Sequence, residues 1–222
     1  MRGNQGKGLG GAGKAGDLGG HHGMEQGSST VTTTALTTAN DTLTGGTGRD
    51  VLTATSTTLN AGDSLDGGAG YDVLKLSDAG TFNLNSLAGF SNIEEIQGAS
   101  TANQTITLRD GADLRLIAGN GTNVITTGAT GNQQIELGTG TNTVTALGGT
   151  TSVTTHGGTS TITGGAGLLT VRADGGATTI TAGTGGSHVD LGYGTVSLTG
   201  GSGTDTIDVG HGRGSITVTG FT

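Results

Sequence analysis

The chain contains no cysteine, no proline and no tryptophan, and only 2% of its 222 residues are aromatic. The absence of cysteine excludes disulfide bonds and cysteine-ligated metal centres. The scarcity of large side chains excludes a conventional globular core. Composition alone would therefore favour disorder, and any ordered fold must depend on backbone ladders and thin stacks of Val, Ile and Leu.

Positive charge and long apolar runs are also scarce. Nine Lys and Arg against 17 Asp and Glu give a formal charge of −8, with a pI near 4.8. Nucleic-acid binding needs clustered Lys and Arg, so this partner is excluded, whereas acidity favours hard cations with oxygen ligands, above all Ca²⁺. No apolar run reaches transmembrane length and no Sec-type apolar region is visible, so we expect neither a membrane span nor Sec-dependent export.

Glycine is abundant, with 49 residues, and from residue 128 onward it recurs at one fixed position of a nine-residue unit. The fixed glycines are Gly131, Gly140, Gly149, Gly158, Gly167, Gly176, Gly185, Gly194, Gly203 and Gly212. The apolar residue of each unit is Ile135, Val144, Val153, Ile162, Val171, Ile180, Val189, Leu198, Ile207 and Ile216. One such unit cannot bury its own apolar residue, so the period predicts a solenoid of stacked units.

Alternate units resemble each other, which predicts that two units make one turn. Thr161-Ile162-Thr163 and Thr179-Ile180-Thr181 belong to one set, whereas Gln134-Ile135-Glu136 and His188-Val189-Asp190 belong to the other. Because side chains alternate along a strand, inward apolar residues leave their neighbours outward on two distinct faces. We therefore predict an all-β parallel β-solenoid, a β-roll with two nine-residue units per turn.

Composition and period divide the chain into four parts. Residues 1–30 are a flexible glycine-rich tail, whose His21–His22 pair we expect to be solvated. Residues 31–78 are a roll with aspartate-containing turns, residues 79–117 are irregular transitional β rungs, and residues 118–222 are the regular nonapeptide solenoid.

Three segments match the nonapeptide G-G-x-G-x-D-x-U-x at every specified position, where U is apolar: GGTGRDVLT (Gly45–Thr53), GGAGYDVLK (Gly67–Lys75) and GGSGTDTID (Gly200–Asp208). Here the chain resembles the RTX (repeats-in-toxin) family of calcium-binding parallel β-rolls. The resemblance implies a six-residue turn that exposes carbonyls, an Asp that binds calcium, and a short x-U-x strand. The chemistry is also reasonable without the family, because glycines bring carbonyl oxygens together and a carboxylate supplies charge for a hard ion.

The resemblance implies an ion between units one turn apart, and the aspartates have a suitable spacing. Asp50 and Asp72 are 22 residues apart, as are Asp41 and Asp63, and a four-residue insertion within residues 53–61 would restore an eighteen-residue pairing. We predict calcium first at Asp50 with Asp72 and second at Asp41 with Asp63. The turn glycines of this site are Gly46, Gly48, Gly68 and Gly70. The alternative is that these carboxylates cap their own turns.

The aspartate position is mostly neutral in the regular array. It is occupied by Gln133, Asn142, Thr151, Ser160, Leu169, Thr178, Ser187, Val196, Asp205 and Gly214. Only Asp205 carries a carboxylate, and its neighbour one turn earlier is Ser187. We therefore predict a solenoid in this part that needs no metal.

One face of the regular array carries two files of Thr and Ser. They comprise Thr143, Thr145, Thr161, Thr163, Thr179, Thr181, Ser197, Thr199, Ser215 and Thr217. A regular hydroxyl-and-methyl array of this kind resembles the faces of β-solenoid ice-binding proteins. The alternative is that Thr, a strong β-former, simply suits a solvent-facing strand and forms hydrogen-bonded ladders.

No catalytic constellation is visible in the sequence, so we expect no enzyme. It contains no nucleophile elbow, no H-E-x-x-H and no P-loop lysine. His188 and Asp190 flank Val189 on one face, and we interpret them as ordinary outward strand residues.

Segments such as GFSNIEEI (residues 89–96) also resemble those of bacterial surface-layer and large secreted matrix proteins. This resemblance implies an extracellular or cell-surface structural protein, exported by a type I-like route, that contacts copies of itself, the cell surface or polysaccharide. The terminal SITVTG run has no charged cap, which favours end-to-end stacking. Ice binding is the second hypothesis, and a calcium-binding passenger of a larger secreted enzyme is the third.

Overall fold

The computed structural model describes residues 31–210 and 213–220. The tail predicted for residues 1–30, with His21 and His22, lies outside the described residues, as does Gly212. The described chain is a parallel β-solenoid of about ten turns, which confirms the predicted fold class. Its one helical segment is the 3₁₀ turn Leu84–Ser86, and none of the described residues form a helix with the length and apolarity to span a bilayer.

Twenty-one short strands build the solenoid. In chain order they are β1 (Thr32–Ala35), β2 (Thr42–Thr44), β3 (Asp50–Ala54), β4 (Ser64–Asp66), β5 (Val73–Leu76), β6 (Gly80–Asn83), β7 (Gly89–Ser91), β8 (Glu95–Gln97), β9 (Gln104–Thr107), β10 (Leu114–Ile117), β11 (Asn123–Thr126), β12 (Asn132–Leu137), β13 (Thr141–Thr145), β14 (Thr150–Thr155), β15 (Thr159–Thr163), β16 (Leu169–Ala173), β17 (Ala177–Thr181), β18 (Ser187–Leu191), β19 (Thr195–Thr199), β20 (Asp205–Asp208) and β21 (Ser215–Thr219).

The strands form three parallel sheets. Sheet A has ten strands and runs the whole length, in the order β1-β3-β5-β8-β10-β12-β14-β16-β18-β20. Sheet B has three strands, β2-β4-β7, and lies only in the front of the solenoid. Sheet C has eight strands and runs from β6 through β9 and the odd-numbered strands β11 to β21. The side opposite sheet A therefore changes from sheet B to sheet C around β6 and β7.

The register gives the length of each turn. From β12 to β20, residues one turn apart differ by 18, as in Thr141 beside Thr159, which confirms the predicted two-unit turn. In the front, Val51 pairs with Val73 and Thr42 with Ser64, a spacing of 22. The four extra residues lie between Ala54 and Asp63, as predicted. Between these regions the spacing is 19, from β9 through β11 to β13.

The core is a thin stack of aliphatic side chains between the sheets. Val153, Val171 and Val189 lie above one another in sheet A, opposite Ile162 and Ile180 of sheet C, and all are fully buried. Each such burial contributes about 1.5–3 kcal/mol. The one large aromatic in the core, Phe82, is fully buried at the start of sheet C, where the turns are longest. Regular stacking replaces side-chain volume as the source of the core.

The last rung departs from the predicted pattern. Strand β21 pairs with β19 at a spacing of 20, so that Ile216 lies beside Val196 and Val218 beside Leu198. The prediction that Ile216 continues the apolar file of Leu198 was therefore wrong, because the preceding loop is two residues longer. Ser215 and Thr217 shift with it and lie beside Thr195 and Ser197.

Candidate functional site

Asp72 lies at the centre of the predicted calcium site and is fully buried. Its Oδ1 accepts a 2.7 Å hydrogen bond from the backbone N–H of Asp50, one turn earlier. Its Oδ2 is buried and has no hydrogen-bond partner. A buried carboxylate oxygen without a partner is costly, and a bound cation would remove that cost.

Carboxylates link three successive turns at this position. The Asp72 N–H donates to Oε2 of Glu94 at 2.7 Å, and the Asp50 Oδ2 accepts from the Gly46 N–H at 2.6 Å. Burial raises the pKa of the Asp72 carboxyl against the effect of the Asp50 N–H, and the negative charges of Glu94, Asp50 and Asp66 raise it further. Sequence reasoning missed Glu94, although it follows Asp72 by the same 22 residues that separate Asp72 from Asp50.

The turn glycines place backbone carbonyls beside these carboxylates. Gly68 and Gly70 adopt φ of 87° and 144°, and a Cβ at either would collide with the Gly46 or Gly48 carbonyl of the turn before. In residues 31–210 and 213–220, no three His, Cys, Asp or Glu side chains cluster as a ligand set. An ion here would therefore use the carboxylates with backbone carbonyls, the donor set that calcium prefers. The residues fit this ion.

The second predicted pair is arranged differently. Asp63 is fully buried, but both its oxygens have partners, Oδ1 from the Asp41 N–H at 2.8 Å and Oδ2 from the Asn60 N–H at 2.7 Å. Asp41 accepts from the N–H and hydroxyl of Thr37 at 2.7 and 3.0 Å. These contacts are those of turn-capping carboxylates. The geometry favours the Asp50–Asp72 pair as the stronger candidate.

The same position stays inward in the rear array but is neutral. Gln133, Asn142, Thr151, Ser160 and Ser187 are all buried. Asn123 donates to Asn142 at 2.9 Å. The carboxylate of Asp205 has both oxygens partnered, by the Ser187 hydroxyl at 2.8 Å and the Gly201 N–H at 3.0 Å.

The outward face of sheet C, which we call the threonine face, has three files rather than two. In β13, β15, β17, β19 and β21 the files are Thr141-Thr159-Ala177-Thr195-Ser215, Thr143-Thr161-Thr179-Ser197-Thr217 and Thr145-Thr163-Thr181-Thr199-Thr219. All but the half-buried Thr145 are exposed. Sequence reasoning missed the first file because it followed only the two neighbours of each core residue, although Thr141, Thr159 and Thr195 directly follow a fixed glycine.

The hydroxyls of the threonine face are largely without intramolecular partners. Among the described residues, the only hydrogen bonds they make are a 3.4 Å contact between Thr199 and Thr219 and a 3.5 Å bond from Thr219 to the Leu198 carbonyl. A continuous hydrogen-bonded threonine ladder, one of the alternatives raised by the sequence, is therefore not formed. The hydroxyls are available to water or to another surface.

The outward face of sheet A is charged instead. Arg115 bridges Glu95 at 2.6 Å and Glu136 at 2.7 Å, and Arg172 bridges Asp174 and Asp190 at 2.7 and 3.1 Å. His188 lies beside Thr170 and Thr206 on this face, half-buried, with Asp190 next to it on the same side.

Glu95 is the buried member of this charged network. It accepts hydrogen bonds from Tyr71 at 2.9 Å, Gln97 at 2.6 Å and Arg115 at 2.6 Å. Burial alone would raise the pKa of the Glu95 carboxyl, but hydrogen bonds from Gln97, Tyr71 and Arg115 hold it below its ordinary value.

Comparison of the chain with protein-family models, with curated proteins and with solved structures finds no match. The geometry above therefore carries the functional argument, together with the motifs of the sequence.

Proposed function

We propose that the chain is a non-catalytic structural β-solenoid of an extracellular or cell-surface assembly, which associates with copies of itself through the threonine face and whose front part is ordered by calcium. The observation that carries this proposal is the contrast between the two long faces. The threonine face is flat, repetitive and uncharged over five rungs, whereas sheet A exposes ion pairs.

Charge explains why association would use the threonine face. The chain has a formal charge of −8, so copies repel one another over most of their surface. Contact through sheet A would require desolvation of the Arg172 and Glu136 ion pairs, which is costly. Threonine hydroxyls both donate and accept, so two threonine faces can satisfy each other without burying charge.

Calcium dependence is proposed for the front part because of Asp72. Its unpartnered buried oxygen and the surrounding carboxylates of Glu94, Asp50 and Asp66 leave uncompensated negative charge between turns. A bound Ca²⁺ would neutralise this charge, and its binding free energy would add to the stability of the fold. Because cytosolic calcium is low, such a front part would become ordered after export, which agrees with the RTX-like motifs and the proposed location.

Negative-stain electron microscopy and sedimentation of the purified chain test this proposal, in calcium and in chelator at matched concentration. We expect assemblies in calcium, and we expect Thr161→Tyr with Thr179→Tyr to abolish them because bulky rings separate two flat faces. The matched control is Ser152→Tyr with Thr170→Tyr, which places the same rings on adjacent rungs of sheet A. Discrete monomers of the unmodified chain in calcium would contradict self-association.

Ice binding is a second candidate, favoured by the three parallel files of unpartnered hydroxyls. Their rungs repeat at the strand spacing, about 4.8 Å, and a regular hydroxyl-and-methyl lattice can order water. Thermal hysteresis of the same variants distinguishes the two functions. Hysteresis from a monomeric chain, lost in the Thr161→Tyr and Thr179→Tyr variant but retained in the sheet A control, would replace self-association as the function of this face.

A further inference from the structure

Sheet B ends inside the solenoid and leaves strand β7 with one open edge. Strand β7 pairs with β4, through bonds such as Gly89 N–H to the Asp63 carbonyl at 3.2 Å and Gly67 N–H to the Ser91 carbonyl at 3.0 Å. At the same level of the next turn the chain forms no strand, and the loop Arg109–Asp113 lies there.

The open edge presents the backbone of Phe90. In a parallel ladder, alternate residues bond to opposite neighbours, so Phe90 points its N–H and C=O away from β4 when Gly89 and Ser91 bond to it. Neither Phe90 group has a hydrogen-bond partner in the described part of the chain. Such an edge is a template for an added strand.

A groove borders this edge. It lies between residues 90–94 and residues 109–113, and it continues past Glu94 and Asp113 to Tyr71 and Arg115. Its walls carry apolar Phe90 and Ile93 together with three carboxylates, those of Glu94, Asp110 and Asp113. The one basic residue along the loop, Arg109, is held by the carbonyls of Leu84 and Leu87 at 3.2 Å each. The groove thus suits an extended segment that is basic and has small side chains.

We infer that this groove binds the chain's own segment Met1–Lys14, added along β7 as a fourth strand of sheet B. The segment contains Arg2, Lys7 and Lys14 and no acidic residue, so its charge of +3 leaves −11 on the remainder of the chain (−8 − 3). Gly6, Gly8 and Gly10 alternate with Lys7 and Leu9. An extended backbone here would have one face without side chains, which permits close approach to the groove wall.

The connection is long enough for the segment to reach the groove of the same chain. Residues 15–31 separate it from β1, and 17 extended residues span at most about 56 Å. The open edge lies three strand spacings from β2, about 15 Å along the solenoid. A short tether gives a high effective concentration, which favours the same chain over a second copy.

Amide hydrogen exchange of Phe90 in the full-length chain tests the inference, because strand addition protects this N–H. We expect Arg2→Glu with Lys7→Glu and Lys14→Glu to speed its exchange about tenfold, within the usual range of coupling between two sites. The groove variant Asp110→Asn with Asp113→Asn, which keeps the acceptors for Thr130 and Asn132, has the same effect. Introducing Asp113→Lys into the acidic-tail variant restores protection by exchanging the charges.

Two controls keep the result interpretable. Asp208→Asn removes an exposed carboxylate far along sheet A and leaves Phe90 exchange unchanged. The Val153 amide, in the fully buried rear core, reports whether each variant is folded. Equal Phe90 exchange in the unmodified chain and the acidic-tail variant would overturn the inference. Protection that rises with protein concentration would also overturn it, because the occupant would then be a second copy.

Discussion

The front and rear turns are built on one nonapeptide frame but fill its inner polar position differently. In the front this position holds Asp50 and Asp72, which join turns through carboxylate-to-amide bonds and leave one buried oxygen unpartnered. In the rear it holds neutral residues such as Asn142 and Ser160, also buried. The frame tolerates both, because the apolar stack and backbone ladders are the same. The difference indicates a front that needs a cation and a rear that does not.

The largest expected effect comes from breaking the rear core. Ile162→Ala removes a fully buried side chain between Val144 and Ile180 and is expected to cost about 2–5 kcal/mol, because little can collapse into the cavity. Urea unfolding measures this loss, which should be equal in calcium and in chelator. Ile162→Val is the graded control, at about 0.5–1.5 kcal/mol. Recovery of the Ala variant by calcium would show that the rear also depends on the ion.

Removing calcium is expected to affect only the front. At one hundred times its Kd, a ligand contributes about 2.7 kcal/mol, which chelation would remove. Hydrogen exchange should therefore speed up in β3 and β5 and stay unchanged in β13 and β15. Magnesium serves as the control ion, since its small size and strict geometry suit this site poorly. Uniform acceleration, or none, would contradict the division into two regions.

Asp72→Asn sharpens the comparison by giving the front a neutral residue like those of the rear. The amide oxygen can still accept from the Asp50 N–H, while the buried negative charge beside Glu94 is removed. We expect the calcium response to disappear and the chelated protein to gain about 1–2 kcal/mol. Calorimetry with calcium and thermal unfolding in chelator measure these effects. Asp205→Asn, in the rear, is the matched control and should change neither quantity.

The smallest effect is expected at the ion pair of Arg115 on sheet A. Glu95 has a pKa below its ordinary value, so its stabilising contribution is present above pH 4.5 and is lost as the pH falls through the folded-state pKa. Arg115→Gln should cost about 0.5–1 kcal/mol at neutral pH. It should also move the onset of acid destabilisation to higher pH, because Glu95 loses a partner. Acid titration followed by circular dichroism measures both, and an unchanged onset would exclude this role of Arg115.

The regular parts of the fold were predictable from spacing alone. The glycine and apolar period fixes where strands stack, and the 22-residue separation of Asp50 and Asp72 located the four-residue insertion. The change from sheet B to sheet C was not predictable, because residues 79–117 have no repeat and their turns differ by several residues. The last rung was mispredicted because Ser215-Ile216-Thr217 resembles Ser197-Leu198-Thr199 locally. Only the length of the loop before it decides the register.

The candidate sites were predictable to different degrees. The motif placed Asp72 in a turn, but only three-dimensional contacts show that one of its oxygens lacks a partner while both oxygens of Asp63 have one. The third threonine file and Glu94 were missed for lack of a template, although each follows the spacing of its neighbours.

The two-unit turn makes the chain's response to duplication depend on length. Copying 18 residues anywhere between β12 and β20 would lengthen the solenoid by one rung, about 4.8 Å, and keep both faces in phase. Copying nine residues would also preserve the period of glycine and apolar residues. However, it would transfer every later unit to the opposite side, so that the threonine files would continue as the charged surface. Only even numbers of units preserve the faces, so the length of this protein is quantised in steps of one full turn.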